Sequence, residues 1–99
     1  MDRAALKDFR LRVVGRRETL REIQRGSAVA VYVARDADKA ILSELEDHCR
    51  AHQVPITYVD SMRELGQLCN IEVKAACAAQ VSPHMASEHG KGGRTGANN

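Results

Sequence analysis

The chain of 99 residues has no tryptophan, one phenylalanine (Phe9) and two tyrosines (Tyr32 and Tyr58). So few rings argue against surfaces of the RRM or OB type, where exposed aromatics stack on bases. Cysteine is sparse as well. Cys49, Cys69 and Cys77 are an odd number, far apart, with no Cys-x-x-Cys. That excludes a disulfide framework and favours reduced, buried thiols in a cytosolic protein. There is no N-terminal signal pattern. The longest apolar run, Ala28 to Ala34, is too short to span a bilayer. A cytoplasmic location with no membrane partner is therefore expected.

Catalytic and metal-binding patterns are also missing. No Ser/His/Asp or Cys/His/Asn arrangement is visible. The Gly-x-x-x-x-Gly-Lys spacing of a phosphate loop is absent, which argues against a small nucleotide-binding protein. His48 and His52 are four apart and could share a metal on a helix, but no second ligand pair accompanies them. His84 and His89 lie in the tail. Asp36 and Asp38 form a carboxylate pair that turn and cap duty explains better than chemistry does. No metal, no cofactor and no enzymatic activity are expected.

What is present is an uneven distribution of charge. Residues 1–26 carry a net +4 through Arg3, Lys7, Arg10, Arg12, Arg16, Arg17, Arg21 and Arg25, against four acids. Residues 27–82 carry −3, and residues 83–99 carry +1, within an overall net charge of +2. The asymmetry suggests an anionic partner met by the N-terminal third. Solvated helix faces decorated with arginine are the plainer explanation of the same count.

Hydrophobic periodicity gives an alternating order of elements. A short helix is expected over about 2–9, with Leu6 and Phe9 facing inward. Leu11 to Val14 reads as a strand. An amphipathic helix follows from about Arg17 to Arg25, with Leu20, Ile23 and Thr19 toward the core and Gly26 terminating it. Ala28 to Ala34 is apolar on both faces and reads as a central strand. Asp36 or Asp38 caps a helix that runs to about His52, with Ile41, Leu45 and Cys49 as its buried stripe. Val54 to Val59 is a third strand, with Pro55 near its start. Ser61 opens a capping box for a fourth helix, in which Met62, Leu65 and Leu68 face the core and Gly66 permits close packing. Asn70 to Val73 is a loop, and Ala75 to Val81 a last strand of small residues. The fold class expected is α/β: a three-layer α-β-α sandwich around a mixed sheet of about four strands, in one domain over 1–81. Residues 82–99, rich in glycine and polar residues, read as a disordered tail.

The most suggestive segment is Val13 to Gly26. A strand end, a tight glycine turn and a basic helix start bring free backbone N–H groups and guanidinium groups to one spot, a place for phosphates and guanine edges. Gly15 permits close backbone approach. Arg17 and Arg21 are four apart on one helix face. Glu18 either stabilises the helix through its dipole or accepts from guanine N–H groups. Ile71-Glu72-Val73 is the second candidate. Either it folds inward as a strand start, or it offers an apolar platform to an unstacked base.

Gly15-Arg16-Arg17-Glu18-Thr19-Leu20-Arg21 with Arg25-Gly26, then Val33-Ala34-Arg35-Asp36-Ala37-Asp38, then Leu65-Gly66 and Cys69-Asn70-Ile71-Glu72-Val73 resemble the kink-turn RNA-binding ribosomal protein family, L7Ae/L30e. The short bacterial, ribosomal-protein-like members look nearest. The resemblance covers roughly residues 5–81. It implies recognition of kink-turns, which are helix–internal loop–helix RNA elements with sheared G·A pairs and a flipped-out nucleotide. By the same resemblance, Gly15, Arg16, Arg17, Glu18 and Arg21 would meet the G·A pairs, and Ile71, Glu72 and Val73 would cover the flipped-out nucleotide. Two departures stand out. Arg17 occupies a position where archaeal and eukaryotic members have Asn, and Asn70 replaces a common glycine. The expected partner is structured RNA containing a kink-turn, within a ribosome or other ribonucleoprotein, bound by a monomer. Two rivals are a protein-interaction module of the same fold and the RNA-binding subunit of a modifying enzyme.

Overall fold

The computed structural model describes residues 3–82; the tail expected to be disordered lies, apart from Ser82, outside the described residues. The elements are a 3-10 turn Arg3–Lys7, β1 (Arg12–Val14), α1 (Arg16–Arg25), β2 (Ala28–Ala34), α2 (Lys39–His52), β3 (Ile56–Val59), α3 (Met62–Leu68) and β4 (Cys77–Val81). The strands form one mixed sheet in the order β1-β4-β2-β3. β4 runs antiparallel to both β1 and β2, while β2 and β3 are parallel.

Two apolar layers close the sandwich. On one face of the sheet, Ala30, Tyr32, Ala34 and Ala78 pack with Leu6 of the 3-10 turn and with Leu65 and Cys69 of the α3 region. On the other, Val31, Val33, Cys77 and Ala79 pack with Ile23 of α1 and with Leu45 and Cys49 of α2. The alternation of β2 residues between the two clusters is the period-2 geometry of a strand covered on both sides. The alanines of β4 are fully buried. Their small side chains let helices approach the middle of the sheet.

Three expectations need correction. The predicted N-terminal helix is a 3-10 turn only. Phe9 does not face the core but is 74% exposed. The cause is local. The Asp8 carboxylate accepts from the Arg10 backbone N–H (3.0 Å) and from its guanidinium (3.1 Å twice), and the Leu11 N–H donates to the Asp8 carbonyl (2.9 Å). This turn ends the helical path and rotates Phe9 outward. Finally, β4 begins at Cys77 rather than Ala75, because the Ala75 N–H is spent on the Met62 carbonyl (3.0 Å) at the start of α3.

Helix starts follow the capping residues. Asp38 caps α2 by accepting from the Ala40 N–H (2.7 Å). Ser61 caps α3 by accepting from the Glu64 N–H (3.0 Å). Asp36 reaches across to accept from the Met62 N–H (2.8 Å), joining the β2–α2 turn to α3. At the other end of α1, Gly26 adopts the left-handed conformation (φ 80°), and buried Glu22 takes a hydrogen bond from the Ser27 hydroxyl.

Candidate nucleic-acid interface

The chain directions bring four connections to one end of the sheet. Val14 at the end of β1 lies opposite Ala78, and Val33 of β2 opposite Cys77 at the start of β4. Ala34 is paired with Val59 at the end of β3. The starts of α1, α2 and α3 therefore all emerge at this end, together with the segment that enters β4. The Gly15 N–H donates to the Cys77 carbonyl (2.9 Å) and the Ala34 N–H to the Ala76 carbonyl (2.9 Å), so the turn into α1 is tied to the start of β4 and the loop before β4 to the end of β2.

Gly15 caps α1 with φ 100° and ψ 161°, a region open essentially to glycine alone. Its carbonyl accepts from the Thr19 N–H (3.0 Å), which begins the helical ladder. The N–H groups of Arg16, Arg17 and Glu18 precede that ladder, and Gly15 has no side chain to accept from them. The starts of α2 and α3 are different, since the Asp38 and Ser61 side chains each accept from one of their first amides. Of the three helix starts at this end, α1 alone among the described residues has no side-chain cap on its first amides, with the positive end of its dipole behind them.

The charged side chains around this start fall into two states. Arg17 is exposed and makes no ion pair among the described residues. Glu18 and Arg21 form an exposed i,i+3 pair at 3.4 Å. Arg16 is drawn away to α2, where its guanidinium donates twice to the Glu44 carboxylate (2.7 and 3.0 Å). That hydrogen bond, and then the adjacent charge, raise the Arg16 pKa above the ordinary guanidinium value. Beneath the turn, burial pushes the Cys77 thiol up to about 11, against a smaller opposing effect of the neighbouring Thr19 side chain. A thiol held protonated in this way is not a nucleophile at neutral pH.

The second predicted element lies on the loop between α3 and β4. Asn70 takes a positive φ of 60°, a conformation that asparagine tolerates in place of glycine. The Ile71 N–H donates to the Gly66 carbonyl (3.1 Å), and the loop then runs back beside α3. The loop resolves the two readings of Ile71-Glu72-Val73 residue by residue. Ile71 packs against the Leu65 and Cys69 cluster, as a core residue does. Glu72 is exposed, and Val73 is 69% exposed beside exposed Lys74. Val73 is thus held out on a loop whose backbone presses on Gly66.

Sequence reasoning missed Glu44, which lies mid-helix with no spacing that marks it as a partner of Arg16. It also counted Arg12 with the free cations. Arg12 instead donates to the Leu6 carbonyl (3.0 Å) and the Cys69 carbonyl (3.0 Å), bracing the 3-10 turn against the end of α3. Among the described residues, no group of three or more His, Cys, Asp or Glu could hold a metal ion, and no helix is long and apolar enough to cross a membrane.

Residues 2–89 match the Ribosomal protein L7Ae/L30e/S12e/Gadd45 family. The chain belongs to this family. An RNA-binding protein of Caldanaerobacter subterraneus subsp. tengcongensis is 39% identical over 70 residues, which is 71% of this chain and 85% of that protein. The RNA-binding protein YbxF of Geobacillus stearothermophilus is 42% identical over 67 residues, 68% of this chain and 82% of that one. Among solved structures, a 15.5kD RNA binding protein of Giardia lamblia superposes with a TM-score of 0.73 at 26% identity, covering 90% of this chain and 82% of that chain. A Bacillus halodurans protein of unknown function shares the fold at 17% identity, with a TM-score of 0.73 and coverage of 90% and 92%.

Proposed function

We propose that this L7Ae-family chain binds RNA as a cytoplasmic, non-enzymatic monomer, and that its target is a kink-turn within a ribosomal or other ribonucleoprotein RNA. The observation that carries the proposal is the start of α1. Its amides are open, Gly15 lets a backbone approach closely, and Arg17 is uncommitted. Such a site accepts phosphate on its N–H groups and a guanine edge on its side chains. Glu18 supplies an acceptor beside these donors, and it suits the N–H groups that a sheared G·A pair leaves facing a widened groove. Exposed Val73, on the loop that leads into β4, supplies an apolar surface for an extruded base. The family membership and the RNA-binding relatives support the same reading.

Binding by such a surface holds the RNA bent, because both contacts form only when the loop nucleotide is out of the stack. The test is a titration against an end-labelled kink-turn RNA and against the same RNA with its G·A pairs replaced by Watson–Crick pairs, at two salt concentrations. Tight binding to the first and weak, salt-sensitive binding to the second is the expected result. Equal, weak binding to both leaves a basic patch only and favours a protein-interaction module of the same fold.

A further inference from the structure

The Arg16–Glu44 pair is out of keeping with the rest of the α1 start. An interface that gains affinity from phosphates is served by every free cation. Here the first residue of α1 is a cation placed beside open amides, and it is held by an acid from another helix. The hold is bidentate, at 2.7 and 3.0 Å, with Arg16 51% and Glu44 33% exposed. Bidentate guanidinium–carboxylate geometry fixes direction as well as charge. The guanidinium plane is therefore turned toward α2.

We propose that Glu44 is a specificity-setting residue: by occupying Arg16, it withholds one cation from the phosphate backbone of any RNA that lacks the bent target shape. The proposal rests on the RNA-binding reading above. Its physical logic is that phosphate contacts add affinity without sequence or shape information, while discrimination comes from contacts that only the correct RNA can make. Arg17 is left free to supply attraction. Glu18 and Val73 make contacts that only a particular RNA satisfies. Neutralising Arg16 lowers the first kind of contact without touching the second. A purely bracing role for the pair, holding α1 against α2, would affect stability and leave the balance between RNAs alone.

The experiment measures the slope of log affinity against log salt for wild type, Glu44→Gln, Arg16→Ala and the double variant, using a fully base-paired control RNA and the kink-turn RNA. Each protein is also melted thermally to establish that it folds. Glutamine is nearly isosteric with glutamate, and the site is partly exposed, so folding is expected to survive. Freed Arg16 adds one phosphate contact, so Glu44→Gln should steepen the control slope by about 0.7–0.9 and lower the ratio of kink-turn to control affinity. The double variant should return the control slope to the wild-type value.

Either of two results would overturn the proposal. A control slope unchanged by Glu44→Gln means that Arg16 is not being withheld. A gain that persists in the double variant means that loss of the Glu44 charge acts on RNA directly, without Arg16. Failure of the kink-turn reading appears separately, as equal wild-type affinity for the two RNAs, and the control slopes still test Glu44 in that case.

Discussion

Gly66→Ala should destabilise the protein and disturb the loop that carries Val73, although the same change in most helix interiors does the opposite. Alanine is favoured over glycine in a helix by about 1 kcal/mol. Gly66 sits in α3 where the returning loop lies against it. A Cβ built there overlaps the Val73 carbonyl oxygen and comes within 3.1 Å of the Val73 carbonyl carbon and 3.2 Å of Lys74 Cα. These are backbone atoms and cannot rotate away. The loop is also pinned on both sides, by the Ile71 N–H on the Gly66 carbonyl (3.1 Å) and the Ala75 N–H on the Met62 carbonyl (3.0 Å). Overpacking costs about 1–3 kcal/mol, and an obstruction made of pinned backbone belongs at the upper end of that range. After the propensity gain, a net loss of about 1–2 kcal/mol remains, equivalent to roughly 5–15 °C in melting temperature for a domain of this size. Thermal or urea unfolding measures the first effect. Titration with kink-turn RNA measures the second, where displacement of Val73 should weaken binding to the kink-turn more than binding to the base-paired control. A melting temperature equal to or above that of wild type would show that the loop yields freely, and the claim that α3 positions Val73 would then be lost.

Gly15→Ala meets no atom within 4 Å, so its cost is backbone strain alone at φ 100°, about 1–3 kcal/mol, read as a lower urea midpoint. Glu18→Ala should weaken kink-turn binding by roughly 10- to 100-fold without weakening binding to control RNA, since a charged hydrogen bond is worth about 1.5–3 kcal/mol. Arg21→Ala should flatten the salt slope on kink-turn RNA by about one unit. The buried thiols give a pH prediction. Burial raises Cys49 and Cys77 from 9.0 to about 11, so the folded state holds their protons more tightly than the unfolded state does. Their contribution to stability is complete below pH 9 and is lost as pH rises from 9 toward 11. Urea midpoints should fall across that window, and a thiol reagent at pH 8 should label these cysteines only as the protein unfolds.

The parts of the structure legible in the sequence are those where one local rule decides. The all-apolar Ala28–Ala34 run reads as a strand covered on both sides, and from Ala30 onward it is one. Ser61 with Glu64, and Asp38 before Ala40, are short-range caps that spacing alone reveals. Gly15 and Gly26 flank a basic amphipathic stretch and become its two ends. Gly66 and Asn70 could likewise be read for the conformations they permit. What stayed hidden was decided by partners far along the chain, or by a competition within a few residues. Asp36 looked like a cap for its own helix, yet it caps α3, 26 positions away. Phe9 looked like a core residue because aromatic side chains usually are, but the Asp8–Arg10 clamp turns the chain before it can be buried. Arg12 and Arg16 looked identical to Arg17 in sequence. The fold gives them carbonyl oxygens and a carboxylate respectively, while Arg17 keeps its charge for solvent or a ligand.

That sorting of arginines bears on how the surface selects RNA. Counting positive charge in the N-terminal third overstates the field that an approaching RNA meets, because Arg10, Arg12 and Arg16 are each held by oxygens of the protein itself. The cations left at the α1 start are Arg17, which is unpaired, and Arg21, which shares its charge with Glu18 over 3.4 Å. On the proposed kink-turn reading, Glu18 turning to a guanine edge would release Arg21 to the phosphate beside that guanine. An RNA without the guanine leaves Glu18 and Arg21 paired, with one phosphate contact fewer. On that reading the Glu18–Arg21 pair would couple base recognition to backbone affinity. The coupling has a measurable consequence. The salt slope on kink-turn RNA should exceed that on base-paired RNA by about one phosphate. That difference should vanish in Glu18→Ala, where Arg21 is free in both cases.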